Sequence, residues 1–296
     1  MIHKISAVLF SILAFFSCTA PIDIHTRDSK PVLVVYGCLT DVSTLQHIRL
    51  TASSPFFDNA PNAAIMNAKV SVRASSGREY SFVSEKDGYY VSNRQFSVIP
   101  GVTYYLSVEV DFDGDGITEV YEAETTTLPI VPIDSIDITT LNIMGYRHFS
   151  LNLYMQEPSE TENYYLFKYF INDSISNDMV SEFLISNDLM FNGEYLDGVN
   201  ITYFEDFSDP KIVELFRNNE NALKVYPGDR LQLQILNIEK CYFNFIRECM
   251  NEKYGENPFF GGPPSNITTN LSNGAIGYFT SFCIQEAETC FPYSND

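Results

Sequence analysis

The segment AKVSVRASSGREYSFVSEKDGYYVSNRQFSVIPGVTYYLSVEV, residues 68–110, decides the fold class of this chain. Apolar and polar residues alternate over residues 68–74 and again over 104–110, the period-two pattern of a strand with one buried face. Turn sequences such as Asp87-Gly88 and Pro100-Gly101 separate these runs at intervals of roughly ten residues. This pattern is typical of a β-sandwich of the immunoglobulin or transthyretin type.

The rest of the chain extends this organisation into two domains. Short alternating runs continue through residues 31–128, which we predict to form the N-terminal β-sandwich. Residues 129–296 are predicted to form a β-rich C-terminal domain with two helices. The helices are expected near residues 208–219 and 238–254, where apolar residues recur at spacings of three and four. The predicted fold class is therefore mainly β.

Composition excludes several classes of protein. The 296 residues are 45% hydrophobic and include 23 Phe, 19 Tyr and no Trp, so the chain can fill hydrophobic cores and is not predominantly disordered. The 18 basic and 38 acidic residues give a net charge of −20. Because a phosphate backbone requires positive charge on its partner, we exclude a nucleic-acid partner.

The N-terminal residues resemble an export signal. An apolar run ends at Ser17-Cys18 and is too short to span a bilayer, so residues 1–17 are predicted to be a signal peptide. The small residue before Cys18 resembles a bacterial lipobox, in which the cysteine is acylated. Residues 18–30 would then be a lipid-anchored tether. Ordinary signal cleavage beside an incidental cysteine is the alternative.

One acidic segment matches the calcium-loop pattern. In the segment DFDGDGITEVYE, residues 111–122, residues that can supply an oxygen ligand occur at alternate positions on both sides of a glycine. This spacing allows several hard oxygen ligands to reach one Ca²⁺ ion. Strands are expected on both sides, so we predict a calcium-binding hairpin loop rather than an EF-hand. Glu119 would close the ligand sphere, or Glu122 if the chain curls. The alternative is an acidic hairpin tip without metal. The candidate ligands are Asp111, Asp113, Asp115, Ile117, Glu119 and Glu122.

Signals for catalysis are weak. His25 falls in the tether, while His47 and His148 flank predicted strands, where surface or hydrogen-bonded roles are expected. The sequence contains no Gly-x-Ser-x-Gly elbow, no His-Glu-x-x-His and no phosphate-binding glycine loop. We therefore predict that the chain is not an enzyme.

A long loop-like segment contains an aromatic pair, Phe259-Phe260. Long loops are either functional or closely packed on the domain that carries them. The pair is our candidate for a partner contact, with anchoring in the core as the alternative.

Several segments together form a recognisable pattern: residues 34–40, 50–56, 132–136, 226–230, 257–259, 265–267 and 273–279. Their order and spacing resemble those of Bacteroidota outer-membrane lipoproteins catalogued as domain of unknown function 4249. That resemblance implies a lipid-anchored outer-membrane protein, often associated with TonB-dependent transporters, with no established catalytic residues.

These observations lead to one expected function and two alternatives. We expect an outer-membrane lipoprotein that acts as an accessory binding protein, partnering a TonB-dependent transporter in nutrient capture. The lipid anchor would hold the protein on the outer membrane, at either its periplasmic face or its cell-surface face. A structural or adhesive surface lipoprotein is the second reading, and an exported hydrolase is the third.

Overall fold

The computed structural model describes residues 30–54, 62–255 and 267–293. Its first sheet combines seven consecutive strands with one strand from near the end of the chain. These are β1 (Leu33–Thr40), β2 (His47–Ala52), β3 (Lys69–Ala74), β4 (Glu79–Ser84), β5 (Tyr89–Ser92), β6 (Thr103–Val110), β7 (Glu119–Thr126) and β15 (Ile276–Phe282). Across the sheet the order is β15-β1-β2-β5-β4-β3-β6-β7, and only the β1–β15 pair is parallel.

Alternation along these strands buries one face around a common core. In β6, for example, Tyr104, Leu106, Val108 and Val110 are buried, whereas the residues between them are partly exposed. All four belong to one cluster to which β1 to β7 contribute. Burial of this apolar face is the main force that holds the sheet together.

The two outer strands of this sheet, β7 and β15, lie beside each other. The backbone N–H of Ser281 on β15 donates a hydrogen bond of 3.1 Å to Oγ1 of Thr125 on β7. In the segment before β15, the backbone N–H of Ser272 donates to the carbonyl oxygen of Glu122 at 2.8 Å. These bonds cover the edge of β7, which would otherwise present unpaired backbone groups.

The strand β15 belongs to the first sheet, although it lies within residues 129–296, the range predicted to form the second domain. It pairs with β1, with Val34 opposite Ile276 and Thr40 opposite Phe282. Parallel pairing between distant segments leaves no local signature in the sequence, because it depends on the tertiary path. The division at residue 128 stays a prediction.

The second half of the chain forms two sheets that enclose a second core. One sheet has the order β13-β9-β8, and in the other β10 pairs with β11, β12 and β14, while β14 also pairs with β16. Side chains from both sheets, such as Phe149, Leu151 and Leu233, form one cluster. The strands are β8 (Ser135–Ile143), β9 (Tyr146–Gln156), β10 (Tyr164–Ile171), β11 (Ser174–Ile175), β12 (Leu184–Asn187), β13 (Tyr195–Glu205), β14 (Arg230–Asn237) and β16 (Ile284–Cys290).

Two α-helices lie in the second half. Helix α1 (Pro210–Leu215) is shorter than the region expected near 208–219, and it begins where the Asp209 side chain accepts a 2.9 Å hydrogen bond from the N–H of Lys211. Helix α2 (Lys240–Gly255) lies where the second helix was expected. Its buried residue Tyr242 packs against Tyr278 of β15, so α2 joins the two halves.

The mainly β fold class is confirmed. Within the described residues, sixteen strands accompany the two α-helices. In the same ranges, no helix has the length and apolar character needed to cross a membrane.

Candidate functional site

The β6–β7 hairpin brings three predicted metal ligands together. Val110 of β6 pairs with Glu119 of β7, so the acidic segment between them forms the connecting loop. Carboxylate oxygens of Asp111, Asp113 and Asp115 lie within 4.8 Å of one another. Three hard oxygens at this spacing suit a divalent cation such as Ca²⁺.

Backbone amides hold the loop in this shape. The two carboxylate oxygens of Asp111 accept hydrogen bonds from the N–H groups of Gly114 and Gly116 at 2.9 and 3.0 Å. Both glycines have left-handed backbone angles, with φ of 76° and 88°. Oδ1 of Asp115 accepts from the N–H of Ile117 at 2.7 Å. The sequence therefore folds into an acidic turn through its own local hydrogen bonds, and the aspartates that would bind a cation also organise the turn.

The two alternative closing ligands occupy different places. Glu119 lies at the base of the loop, where its Oε2 accepts a 2.8 Å hydrogen bond from the N–H of Phe112. Because β7 begins at Glu119, the chain is already extended at Glu122, which pairs with Ser107 of β6. Glu122 is therefore not brought to the loop, and the arrangement favours Glu119 as the fourth carboxylate. The Ile117 side chain is exposed, consistent with a role through its carbonyl alone.

Other predicted site residues lie outside the described residues. Cys18 falls within residues 1–29, and Phe259 and Phe260 fall within residues 256–266. The acylation of Cys18 and the contact made by the aromatic pair stay predictions.

A second candidate site is an apolar cavity of about 320 Å³ between the two sheets of the second half. Strands β9 and β13 form one wall and β10 and β12 the other, while residues from the loop 188–194 and from α2 complete the lining. Representative lining residues are Leu153, Met155, Phe167, Phe183, Leu196 and Met250. Apolar concavities of this size are typical of small-molecule binding sites.

Irregularity in β13 shapes the wall of this cavity. The pairing of β13 with β9 shifts register on either side of Val199 and Asn200. At Gly198, with φ of 69°, an added Cβ would lie 2.9 Å from the hydroxyl of Tyr154. At this interruption, Nδ2 of Asn200 donates to the carbonyl oxygen of Leu151 at 3.3 Å and to Oγ of Ser150 at 2.7 Å, both on β9. The sequence did not predict the cavity, because its lining residues are mostly of the apolar types that fill ordinary cores. The available signal was Gly198, a glycine inside a strand.

A buried carboxylate fixes the loop that borders the cavity. Glu157 is 1% exposed, and its Oε1 accepts hydrogen bonds from Nδ2 of Asn163 at 2.9 Å and from the hydroxyl of Tyr165 at 2.8 Å. Its Oε2 accepts from the N–H of Gly193 at 3.2 Å. Phe191 of the same loop lines the cavity, as does Tyr165. Burial, and then the bond to Glu157, raise the pKa of Tyr165, so this hydroxyl stays protonated.

A family model described as domain of unknown function (DUF4249) matches residues 19–288. The chain belongs to this family. The match includes both the acidic loop and the cavity, so the DUF4249 region is not confined to one half of the molecule. No curated protein is a detectable relative of this DUF4249 member.

Similarity to solved structures is distant. A two-domain fibronectin type III segment from chicken tenascin is 11% identical, with a TM-score of 0.20 over 70% of this chain and 90% of that segment. A mutant of Salmonella alpha-2-macroglobulin is 12% identical, with a TM-score of 0.23 over 71% of this chain and 14% of that protein. Its methylamine-reacted form is 11% identical, with a TM-score of 0.22 over 90% and 15%. TM-scores this low establish neither a shared fold nor a shared function.

The cysteines of this DUF4249 member are free wherever the structure describes them. Cys241 and Cys290 are exposed, whereas Cys283 is buried. Burial raises the pKa of the Cys283 thiol to about 11, and nearby Asp41 acts in the same direction. Cys283 and Cys290, which are close in the sequence, do not form a disulfide.

Proposed function

We propose that this DUF4249 member is a Bacteroidota outer-membrane lipoprotein that acts as an accessory binding protein and partners a TonB-dependent transporter in nutrient capture. The observation that carries the binding role is the apolar cavity between the sheets of the second half. The lipid anchor is proposed from the signal-like residues 1–17 and Cys18.

A binding role fits this cavity better than catalysis does. Its lining consists of aliphatic and aromatic residues with few polar ones, and includes no His, Asp, Glu, Lys or Arg in the described part of the chain. General acid–base and nucleophilic chemistry both need titratable groups within reach of the substrate. The cavity thus supports ligand capture without turnover, which is what an accessory protein would supply to a transporter.

The anchor and the transporter are tested together. The lipidated protein is captured from membranes under native conditions and the co-purifying proteins are identified by mass spectrometry. We expect a TonB-dependent transporter with the wild-type protein, while Cys18→Ala should move the protein out of the membrane fraction. Recovery of wild-type protein without any transporter would contradict the proposed partnership.

The aromatic pair is the proposed contact with that transporter. Phe259→Ala combined with Phe260→Ala should lower transporter recovery in the same capture. Tyr293→Ala is the matched control, because Tyr293 is an aromatic residue that is 74% exposed elsewhere in the chain. Equal recovery from both variants would remove the contact from the proposal.

We also propose that the acidic loop binds Ca²⁺, with Asp111, Asp113, Asp115 and Glu119 as carboxylate ligands and the Ile117 carbonyl as a further oxygen. The close approach of the aspartate oxygens supports this role. Bound calcium would neutralise repulsion among the carboxylates and stabilise the hairpin, so its role would be structural.

A further inference from the structure

We infer that the cavity of the second half binds an uncharged, apolar group on the order of ten carbon atoms in size, such as a fused pair of aromatic rings or a medium-length alkyl chain. This inference rests on the proposed binding function and specifies the chemical class of its ligand. It is carried by the volume of the cavity and by the state of the polar groups in its wall.

The cavity opens to solvent beside the exposed lining residue Val199, and its volume is large enough to admit a small apolar ligand. An apolar cavity of about 150 Å³ is known to bind benzene. The cavity here, at about 320 Å³, is roughly twice that size, which sets the scale of the ligand.

The polar side chains in the wall are already engaged. The hydroxyl of Tyr165 donates to Glu157, and Oγ of Ser186 donates to the carbonyl oxygen of Asn187 at 3.3 Å. Nδ2 of Asn200 donates to Oγ of Ser150 and to two carbonyl oxygens. A polar ligand would lose its hydration without gaining side-chain donors, so the wall selects an apolar group.

Charge in the ligand is disfavoured by the same wall. No charged residue lines the cavity in the described ranges, and the buried carboxylate of Glu157 behind the wall already accepts hydrogen bonds from Asn163, Tyr165 and Gly193. An ion entering the cavity would lose its hydration without meeting a counter-charge among the lining side chains. The ligand portion that enters is therefore neutral.

Binding of a neutral fluorescent probe tests the inference. The full mature chain carrying Cys18→Ala, free of lipid and detergent, is titrated with N-phenyl-1-naphthylamine. A second titration uses 1-anilinonaphthalene-8-sulfonate, which has the same ring systems and one negative charge. We expect saturable binding of the neutral probe, and at least tenfold weaker binding of the sulfonate at the same site.

Filling the cavity should block this binding. Val199→Trp places a large ring at a lining position that is 41% exposed, and is expected to weaken neutral-probe binding at least tenfold. Val120→Trp is the matched control, because Val120 is a strand valine that is 47% exposed on the first sheet. Met250→Trp fills the cavity from α2 and serves as a second variant if Val199→Trp does not fold, as judged by circular dichroism.

Four outcomes would overturn the inference. The first three are the absence of saturable neutral-probe binding, equal binding of both probes, and unchanged binding in folded Val199→Trp and Met250→Trp variants. Binding that appears only after Phe259→Ala and Phe260→Ala would show that the chain fills its own cavity, and would also overturn it. The transporter capture experiment uses no probe. It therefore tests the proposed partnership independently of the probe titrations, which test the ligand class.

Discussion

The buried carboxylate of Glu157 provides the sharpest test of how the cavity loop is held. In Glu157→Gln, the amide oxygen can occupy the position of Oε1 and retain the donors Asn163 and Tyr165. The amide nitrogen then replaces Oε2 and faces the N–H of Gly193, which loses its acceptor. A hydrogen bond to a charged acceptor contributes about 1.5–3 kcal/mol. Relief of carboxylate desolvation offsets part of this loss, so we expect a net destabilisation of about 2 kcal/mol.

Urea and thermal denaturation followed by circular dichroism measure this change. A loss of this size should lower Tm by about 5 °C in a chain of this length, and the Gly193 amide should exchange with solvent faster. Glu160→Gln is the control, because Glu160 is exposed in the same connection and the substitution removes the same charge. If Glu157→Gln and Glu160→Gln were equally stable, and exchange at Gly193 were unchanged, the reasoning about this carboxylate would be refuted.

Three further predictions concern the hairpin, the first sheet and the thiols. Ca²⁺ at 100 times its Kd should raise the free energy of unfolding by about 2.7 kcal/mol relative to the protein in chelator. Asp113→Ala should abolish this increase. If Ca²⁺ stabilised neither protein, calcium would be removed from the proposal. Gly277→Ala should lower the free energy of unfolding by more than about 2 kcal/mol beyond the loss caused by Gly274→Ala. Both glycines have positive φ, but only at Gly277 would an added Cβ lie 2.0 Å from the Val35 carbonyl oxygen. Similar denaturation midpoints for the two variants would contradict this. The pKa of the Cys283 thiol is raised to about 11, so less than about 1% of this thiol is ionised at pH 8. A thiol reagent should therefore modify the exposed Cys241 before Cys283, which peptide mapping would show.

Local periodicity was sufficient to predict the mainly β class. In β6, residues 104–110 alternate in the printed sequence and alternate in burial, because strand geometry places successive side chains on opposite faces. The acidic loop is also local, since the Asp-Gly spacing alone brings Asp111 to the amides of Gly114 and Gly116. Features that depend on neighbours in the sequence can thus be predicted without a structure.

Features that depend on distant segments could not be predicted from the sequence. The pairing of β15 with β1 joins segments from opposite ends of the chain, and nothing in either segment specifies its partner. The cavity was missed for a related reason. Leu153 and Leu196 are apolar as core residues are, and whether facing side chains meet or leave a space depends on the register shifts of β13. Periodicity identifies which residues face inward, but not how completely they fill the interior.

The β1–β15 pair also governs when the N-terminal half can finish folding. The two ends it joins are far apart along the chain; Asp41 and Ile284, which bond just beyond the pair, are 243 residues apart. A chain that is synthesised N-terminus first would hold β1 without its parallel neighbour until almost all residues had emerged. Throughout that interval the β1 edge could pair with strands of other chains. Closure by such remote contacts is slow, so the newly made chain has a long period in which a chaperone would protect it.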